Sequence, residues 1–290
     1  MRYKGIILAG GNGTRLHPIT VAMSKQLLPV YDKPMIYYPL SVLMTANISE
    51  ILVITKPEET HLFKSLLGDG SQFGMKIEYA EQPKPKGIAQ GLLIAEKFLS
   101  DSPSVLILGD NIFYGSNLDS KIAEAMLINE GAYIFPYKVQ DPSQYGVLKF
   151  GKQGDVSAIL EKPKKAPSNF AVPGLYIFDE TASTRAKSLS PSTRGELEIT
   201  DLLNGYLDDG LLKYCALDRG TAWLDTGTPE SLLEASMFVQ TIEKRQGQKI
   251  ACLEEIAFKN SWISRDQLIR YARAERTSNW AKYLLEVVKA

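Results

Sequence analysis

The chain has 290 residues, 44% of them hydrophobic, enough to bury a substantial core in one large α/β domain or two smaller ones. Its 33 lysines and arginines balance 33 aspartates and glutamates, which excludes a global field of the kind that draws a protein onto nucleic acid or an anionic membrane. Any anion must therefore be met by a local group of cations. Cys215 and Cys252 lie far apart in no metal-like or redox-like spacing, which fits buried thiols in a reducing cytosol. No stretch approaches the ~18 consecutive apolar residues of a membrane span, and the apolar run at 5–9 is far too short for a signal segment, so the expectation is a cytoplasmic protein.

Taken in chain order, short β-branched or apolar runs alternate with longer amphipathic ones. KGIILA precedes PMIYYPLSVLMTAN, ILVIT precedes a segment around 61–67, MKIEYA precedes IAQGLLIAEKFL, and SVLILGDN precedes LDSKIAEAMLINE. This βαβ alternation predicts an α/β fold with a mostly parallel, doubly wound, Rossmann-like sheet and helices on both faces. In such folds ligands collect beyond the carboxyl ends of the strands, which is where AGGNGTR and GDN fall. From Ala132 the pattern changes to AYIFPYKV, YGVLKF, VSAILE and VPGLYIF, strands with close turns that predict added antiparallel or mixed pairing in a lid or second lobe over the same crevice. GELEITDLLNGYLDD reads as a helix and LLKYCAL as a strand. The tail is chiefly helical, in PESLLEASMFVQTIEKRQ, SRDQLIRYARA and SNWAKYLLEVVKA. Thr228, Pro229 and Glu230 make a good helix start, with Thr as N-cap, Pro at the first helical position and an acid in the first turn.

Gly10, Gly11 and Gly13 open a loop that carries Thr14 and Arg15. It is not the dinucleotide fingerprint GxGxxG, because Leu16 stands where the third glycine belongs. It is not a P-loop either, because Lys25 comes too late for GK[ST] at a helix start. What remains is a strand feeding a glycine-rich turn, whose backbone N–H groups can converge on phosphate oxygens, followed by Arg15 as a charged fork. A plain turn with a surface arginine explains the loop alone equally well.

The segment SKQLLPVYDKPMI follows at once and brings Lys25 and Gln26. The joined pattern LAGGNGTRLHPIT and SKQLLPVYDKPMI resembles the signature of the sugar-1-phosphate nucleotidyltransferases. The resemblance continues through EQPKPKGIAQ, LGDNIFYG, QYGV, EKP, PGLYIFD, RGELEITD and WLDTGTPESL, and so spans nearly the whole chain. It implies a fold of the nucleotide-diphospho-sugar transferase type, with an inserted sugar-binding lobe and a helical C-terminal tail. The expected organisation is a single domain over 1–290, divided into a nucleotide-binding half at 1–131, a sugar-binding half at 132–228 and a helical tail at 229–290 with an interface or regulatory part. The branch it most resembles joins dTTP to α-D-glucose 1-phosphate with Mg²⁺, giving dTDP-glucose and pyrophosphate on the way to dTDP-rhamnose and other deoxysugars of polysaccharides. The same chemistry with UTP or another hexose phosphate stays open, as does a noncatalytic nucleotide-sugar sensor.

Such a reaction is charge handling and alignment, since two polyanions must meet. Asp110 ends the apolar run SVLILGD, which predicts a carboxylate at a strand's C-terminal edge, where it can offer oxygen to Mg²⁺; Asp225, at the end of AWLD, is the second candidate. Turn-forming or capping roles are the alternative for either one alone. The resemblance implies Arg15, Lys25 and Lys162 as catalytic cations. It further implies Gly10, Gly11, Gly13, Thr14, Gln26, Gln82 and Gly87 as nucleotide contacts, the Gln82 amide facing the N3–O4 edge of a pyrimidine. On the sugar-phosphate side it implies Asn111, Tyr145, Gly146, Glu161, Lys162, Val172, Tyr176, Arg194 and Trp223, with Lys162 gripping the sugar phosphate, although Tyr176 and Trp223 also suit a plain wall or core. It implies a homotetramer with a second nucleotide-sugar site, here around Tyr114, Gly115, Arg219, Glu255 and Ile256. Neither nucleic acid nor membrane is an expected partner.

Overall fold

A computed structural model describes residues 2–128, 130–274 and 278–289. Asn129 and Ala290, inside expected helical stretches, lie outside the described residues. The centre is a seven-stranded mixed sheet. Lys4–Ala9 lies between Glu50–Thr55 and Ser104–Leu108, both parallel to it, and Lys76–Glu81 extends the sheet parallel to Glu50–Thr55. On the other side Leu175–Phe178 runs antiparallel to Ser104–Leu108, Ala132–Ile134 antiparallel to that strand, and Leu212–Tyr214 parallel to Ala132–Ile134 at the edge.

The near-continuous apolar runs of the central strands are explained by burial on both faces. Register places Ile6 beside Leu52 and Leu106, all packed in the core on one face, and Ile7 beside Val53 and Ile107, all packed on the other. The helices Tyr37–Thr45 and Thr60–Leu67 cover the second face, and Gln90–Ile94, Ala182–Lys187 and Ile199–Asp208 cover the first. This is the doubly wound arrangement expected from the sequence.

A second, four-stranded antiparallel sheet is formed in the order Val156–Glu161, Gly146–Phe150, Phe170–Val172, Tyr137–Lys138. A two-stranded antiparallel ribbon joins Asn111–Tyr114 to Ala222–Asp225, with Asp225 opposite Asn111. Helix Pro229–Gln246 begins as expected: Thr228 Oγ1 accepts from the Ser231 N–H, Ser231 Oγ accepts from the Thr228 N–H, Pro229 fills the first turn with Glu230, and Gly247 closes the far end. The tail continues in Leu253–Lys259, Arg265–Ala274 and Asn279–Val287.

Several local expectations are corrected. The RGELEITD stretch is helical only from Ile199, because residues 194–198 are used elsewhere, and IAQGLLIAEKFL is broken at Ala95 into Gln90–Ile94 and Glu96–Leu99. Cys252 is buried as expected, but Cys215 is partly exposed, beside Lys121. No helix among the described residues is long and apolar enough to cross a membrane.

Candidate active site

The C-terminal ends of Lys4–Ala9 and Ser104–Leu108 open onto a cleft of about 450 Å³, which meets a second cavity of about 140 Å³ under the antiparallel sheet. Gly11, Gly13, Thr14, Lys25, Gln26, Gln82, Gly87 and Arg194 line the larger one. Asn111, Tyr145, Gly146, Val172, Tyr176, Trp223 and Asp225 line the smaller. Arg15, Asp110, Glu161 and Lys162 belong to both walls. Gly10 stands one residue back, packed against Gln82.

The cations are held in three different ways. Arg15 lies exposed at the end of a short turn, Thr14–Leu16, with no ion pair among the described residues. Its guanidinium rests on Gly227, where a Cβ would come within 2.9 Å of Arg15 Nη2, so the glycine of DTGT leaves the room that the arginine occupies. Lys25 is buried, and its Nζ lies 2.6 Å from Asp110 Oδ2. Lys162 follows the strand Val156–Glu161 with φ of +40°, a left-handed conformation that non-glycine residues seldom adopt and that recurs at functional sites. Its N–H donates to the Tyr145 carbonyl, and its ammonium is only loosely paired with Glu161, at 4.0 Å.

Asp110 and Asp225 form a carboxylate pair across the small ribbon. Burial opposes charge on Asp110, but the Lys25 ammonium outweighs it and holds this carboxyl below its ordinary range. Burial, and then the negative charge of Asp110, push Asp225 upward against Lys25, Arg15 and Lys162. Two facing carboxylates that resist joint ionisation are a donor set that a hard, oxygen-loving divalent cation would stabilise, with phosphate and water completing its shell. The described residues hold no cluster of three or more His, Cys, Asp or Glu suited to a metal, so a protein-only cage is not what these residues build.

Asn111 is almost fully engaged within the protein. Its Oδ1 accepts from Trp223 Nε1 at 2.7 Å and the Gly174 N–H at 3.0 Å, and its Nδ2 donates to Asp110 Oδ1 at 2.9 Å. Because both partners of the oxygen are donors only, the amide must present nitrogen to Asp110, which fixes that carboxylate. Arg194 is gathered by Glu161, Glu196 and Glu198, the closest contact being 2.7 Å from Nη2 to Glu198 Oε2. Burial and the Glu198 charge raise Glu161, opposed by Lys162 and Arg194.

The cleft walls are tied together through Gly87, whose φ is +99° and where a Cβ would lie 2.3 Å from the Leu197 carbonyl. Leu197 N–H donates to Lys86 O and Ala89 N–H to Leu197 O, so the 86–89 loop and the 194–198 loop are bolted to each other. Sequence reasoning missed Glu198, Thr200, Gly227 and Gln90. All four sit inside the quoted motifs: Thr200 and Gly227 meet partners distant in sequence, Glu161 and Arg15, whereas Gln90 and Glu198 meet near ones, Gln82 with Lys86 and Ser192 with Arg194, in loops whose path the spacing does not give.

Of the residues expected at a second site, Tyr114, Gly115 and Ile256 line a separate cavity of about 260 Å³ with Lys249 and Ile250. Arg219 and Glu255 do not line it. Arg219 is exposed, and the Glu255 carboxylate is held by Tyr283 and Lys259.

A mixed doubly wound sheet with a cation-rich cleft at the strand ends, and Asp110 in the wall that two cavities share, is suited to a transferase that handles nucleotides. Residues 4–242 match the nucleotidyl transferase family model, and the chain belongs to that family. It is 56% identical to a glucose-1-phosphate thymidylyltransferase of Xanthomonas campestris, over 99% of this chain and 97% of that protein. It is 54% identical to the enzyme of that name from Neisseria meningitidis and 50% identical to that from Mycobacterium tuberculosis, each over 99% of both chains. Among solved structures, one from Bacillus anthracis in complex with sucrose superposes with a TM-score of 0.76 at 42% identity, covering 81% of this chain and 94% of that one. A UDP-glucose pyrophosphorylase complexed with UDP-glucose, at 24% identity and TM-score 0.72 over 83% of this chain and all of that one, shares the fold.

Proposed function

We propose that the protein transfers a thymidylyl group from dTTP to α-D-glucose 1-phosphate, releasing pyrophosphate and forming dTDP-glucose. The observation that carries this reading is the shared wall: Arg15, Asp110, Glu161 and Lys162 line both cavities, so two anions bound side by side would meet there. The likeness to thymidylyltransferases over nearly the full length supports the choice of substrates.

The larger cavity takes the triphosphate. Backbone N–H groups of the 10–14 loop wrap its oxygens, Arg15 stands against the leaving pyrophosphate, and Lys25 turns from Asp110 toward phosphate. Gln82 and Gly87 meet the base. The smaller cavity takes the sugar: Glu161 and the Gly146 edge meet hydroxyls, Tyr145, Val172, Tyr176 and Trp223 form the apolar wall, and Lys162 with Arg194 holds the sugar phosphate so that its oxygen faces the α-phosphorus in line. Asp110 and Asp225 would hold Mg²⁺, which when bound would neutralise charge on the phosphates. Every group needed is a cation, a donor or a carboxylate. The two histidines, His17 and His61, line neither cavity.

The further reading is a cytoplasmic homotetramer feeding deoxysugar synthesis, with a nucleotide-sugar inhibitor in the cavity of Tyr114, Gly115 and Ile256. Pyrophosphate release with dTTP and UTP, measured side by side with glucose 1-phosphate and Mg²⁺, tests the substrates. Higher turnover with dTTP is expected. A clear UTP preference would overturn the base assignment, and nucleotide binding without turnover would make the protein a sensor.

A further inference from the structure

Gln82 is buried and lines the larger cavity, and its amide is held from behind. Gln82 Nε2 donates to Gln90 Oε1 at 2.8 Å, and the main-chain N–H of Lys86 donates to the same oxygen at 2.8 Å. A main-chain N–H can only donate, so the Gln90 amide must turn its oxygen toward Lys86. An oxygen accepts only from a donor, so Gln82 must offer its nitrogen to Gln90. The Gln82 oxygen is thereby forced to the opposite side. There it packs on Gly10, where a Cβ would lie 2.3 Å from Gln82 Oε1, and no hydrogen bond among the described residues reaches it.

We infer that Gln90 is a positioning residue that locks the Gln82 amide, so that the site selects keto pyrimidines over cytosine. The inference rests on the reading of the larger cavity as a pyrimidine nucleotide site. Thymine and uracil carry an N3–H donor beside the O4 acceptor; cytosine carries an N3 lone pair beside an amino group. A free glutamine amide can rotate by half a turn and satisfy either pattern, so it does not discriminate. A glutamine whose nitrogen is committed to Gln90 keeps its oxygen for N3–H and a second Nε2 hydrogen for O4. Cytosine placed in the same pose sets lone pair against lone pair and amino group against N–H, leaving buried polar groups unpaired. The relay runs from a backbone donor at Lys86, through Gln90, to Gln82. Selectivity therefore depends on a side chain that does not line the cavity.

Calorimetric binding of dTTP and dCTP to the wild type, Gln90→Met and Gln90→Glu tests this, with thermal melts to establish folding. Methionine matches the volume but accepts no hydrogen bond, whereas glutamate keeps an acceptor for both donors. The wild type should prefer dTTP, and Gln90→Met should lose about tenfold or more of that preference, chiefly by binding dCTP better. Gln90→Glu should keep it. The lock is overturned if Gln90→Met retains the wild-type ratio, or if Gln90→Glu loses the ratio as Gln90→Met does. If the methionine variant does not fold, Gln90→Ala takes its place: a lost preference supports the lock and a retained one overturns it. A wild type that binds neither triphosphate overturns the nucleotide reading itself, whereas one that binds both alike overturns the lock alone.

Discussion

On the side of the glycine-rich loop, Gly11, Asn12, Thr14 and Arg15 are exposed, and regular structure between 11 and 28 is limited to three short 3-10 turns. On the side of the antiparallel sheet, Asn111, Val172, Tyr176 and Trp223 are buried, and the polar atoms of Asn111 and Trp223 are engaged by one another, Gly174 and Asp110. On the proposed assignment the contrast follows from what each side would meet. A triphosphate is a flexible polyanion that is best gripped by backbone N–H groups and mobile cations, whereas a sugar ring is rigid and is best met by a pre-built wall. On the loop side Arg15 is uncommitted while Lys25 is tied to Asp110, and on the sheet side the wall of Asn111 and Trp223 is fixed by its own hydrogen bonds.

The largest effect that separates the two sides is expected at the carboxylate between them. Asp110→Asn should lower kcat on the order of 10³-fold, the scale of losing one group that stabilises developing charge, in a pyrophosphate-release assay. It also leaves Lys25 buried without its anion, so the melting temperature of the free protein should fall. Unchanged activity would remove Asp110 from the site.

Next comes Gly227→Ala. A Cβ there would lie 2.9 Å from Arg15 Nη2 and make that exposed guanidinium, which lines both cavities, swing aside, so kcat should fall by about tenfold in the same assay with the melting temperature unchanged. A lowered melting temperature would mean that Gly227 supports the fold rather than the arginine, and an unchanged kcat would mean that the arginine's position there does not matter.

The smallest effect is a pH dependence on the sugar side. The Glu161 carboxyl sits above its ordinary 4.5, from burial and then Glu198. The folded form therefore keeps a proton that the unfolded chain has released, and this group's contribution to stability is lost as pH rises from 4.5 through the raised value. If, as proposed, the Glu161 carboxylate accepts from sugar hydroxyls, KM for glucose 1-phosphate should climb as pH falls through the same window. Glu161→Gln should show a KM that is high and flat with pH. A wild-type acid limb that survives in Glu161→Gln would assign it to another group.

The legible part of the molecule was the part in which neighbours in sequence are neighbours in space. Ile6 and Ile7 each face a core, so KGIILA reads as a buried parallel strand without help, and Thr228 with Pro229 announces a helix by its own chemistry. Asn111–Tyr114 did not announce itself as a strand, because the strand it pairs with, Ala222–Asp225, lies far along the chain. Residues 194–198 look helical by composition, but they stay outside the helix: Gly195 closes a turn onto Ser192, and Leu197 exchanges hydrogen bonds with Lys86 and Ala89. In the site, residue types such as Asp110 and Lys162 could be singled out from their motifs. The left-handed turn at Lys162 and the contact of Gly227 with Arg15 depend on the folded path and on distant partners, and the orientation of the Gln82 amide depends on how the 82–90 loop folds back on itself; spacing along the chain encodes none of these.

The central claim is that phosphate of the sugar, rather than of the nucleotide, is held at Lys162. Steady-state kinetics of Lys162→Ala with both substrates varied, together with direct dTTP binding, tests it most directly. KM for glucose 1-phosphate should rise and kcat should fall, each by about tenfold or more, with dTTP affinity little changed. A loss confined to dTTP affinity would contradict the assignment of the two cavities.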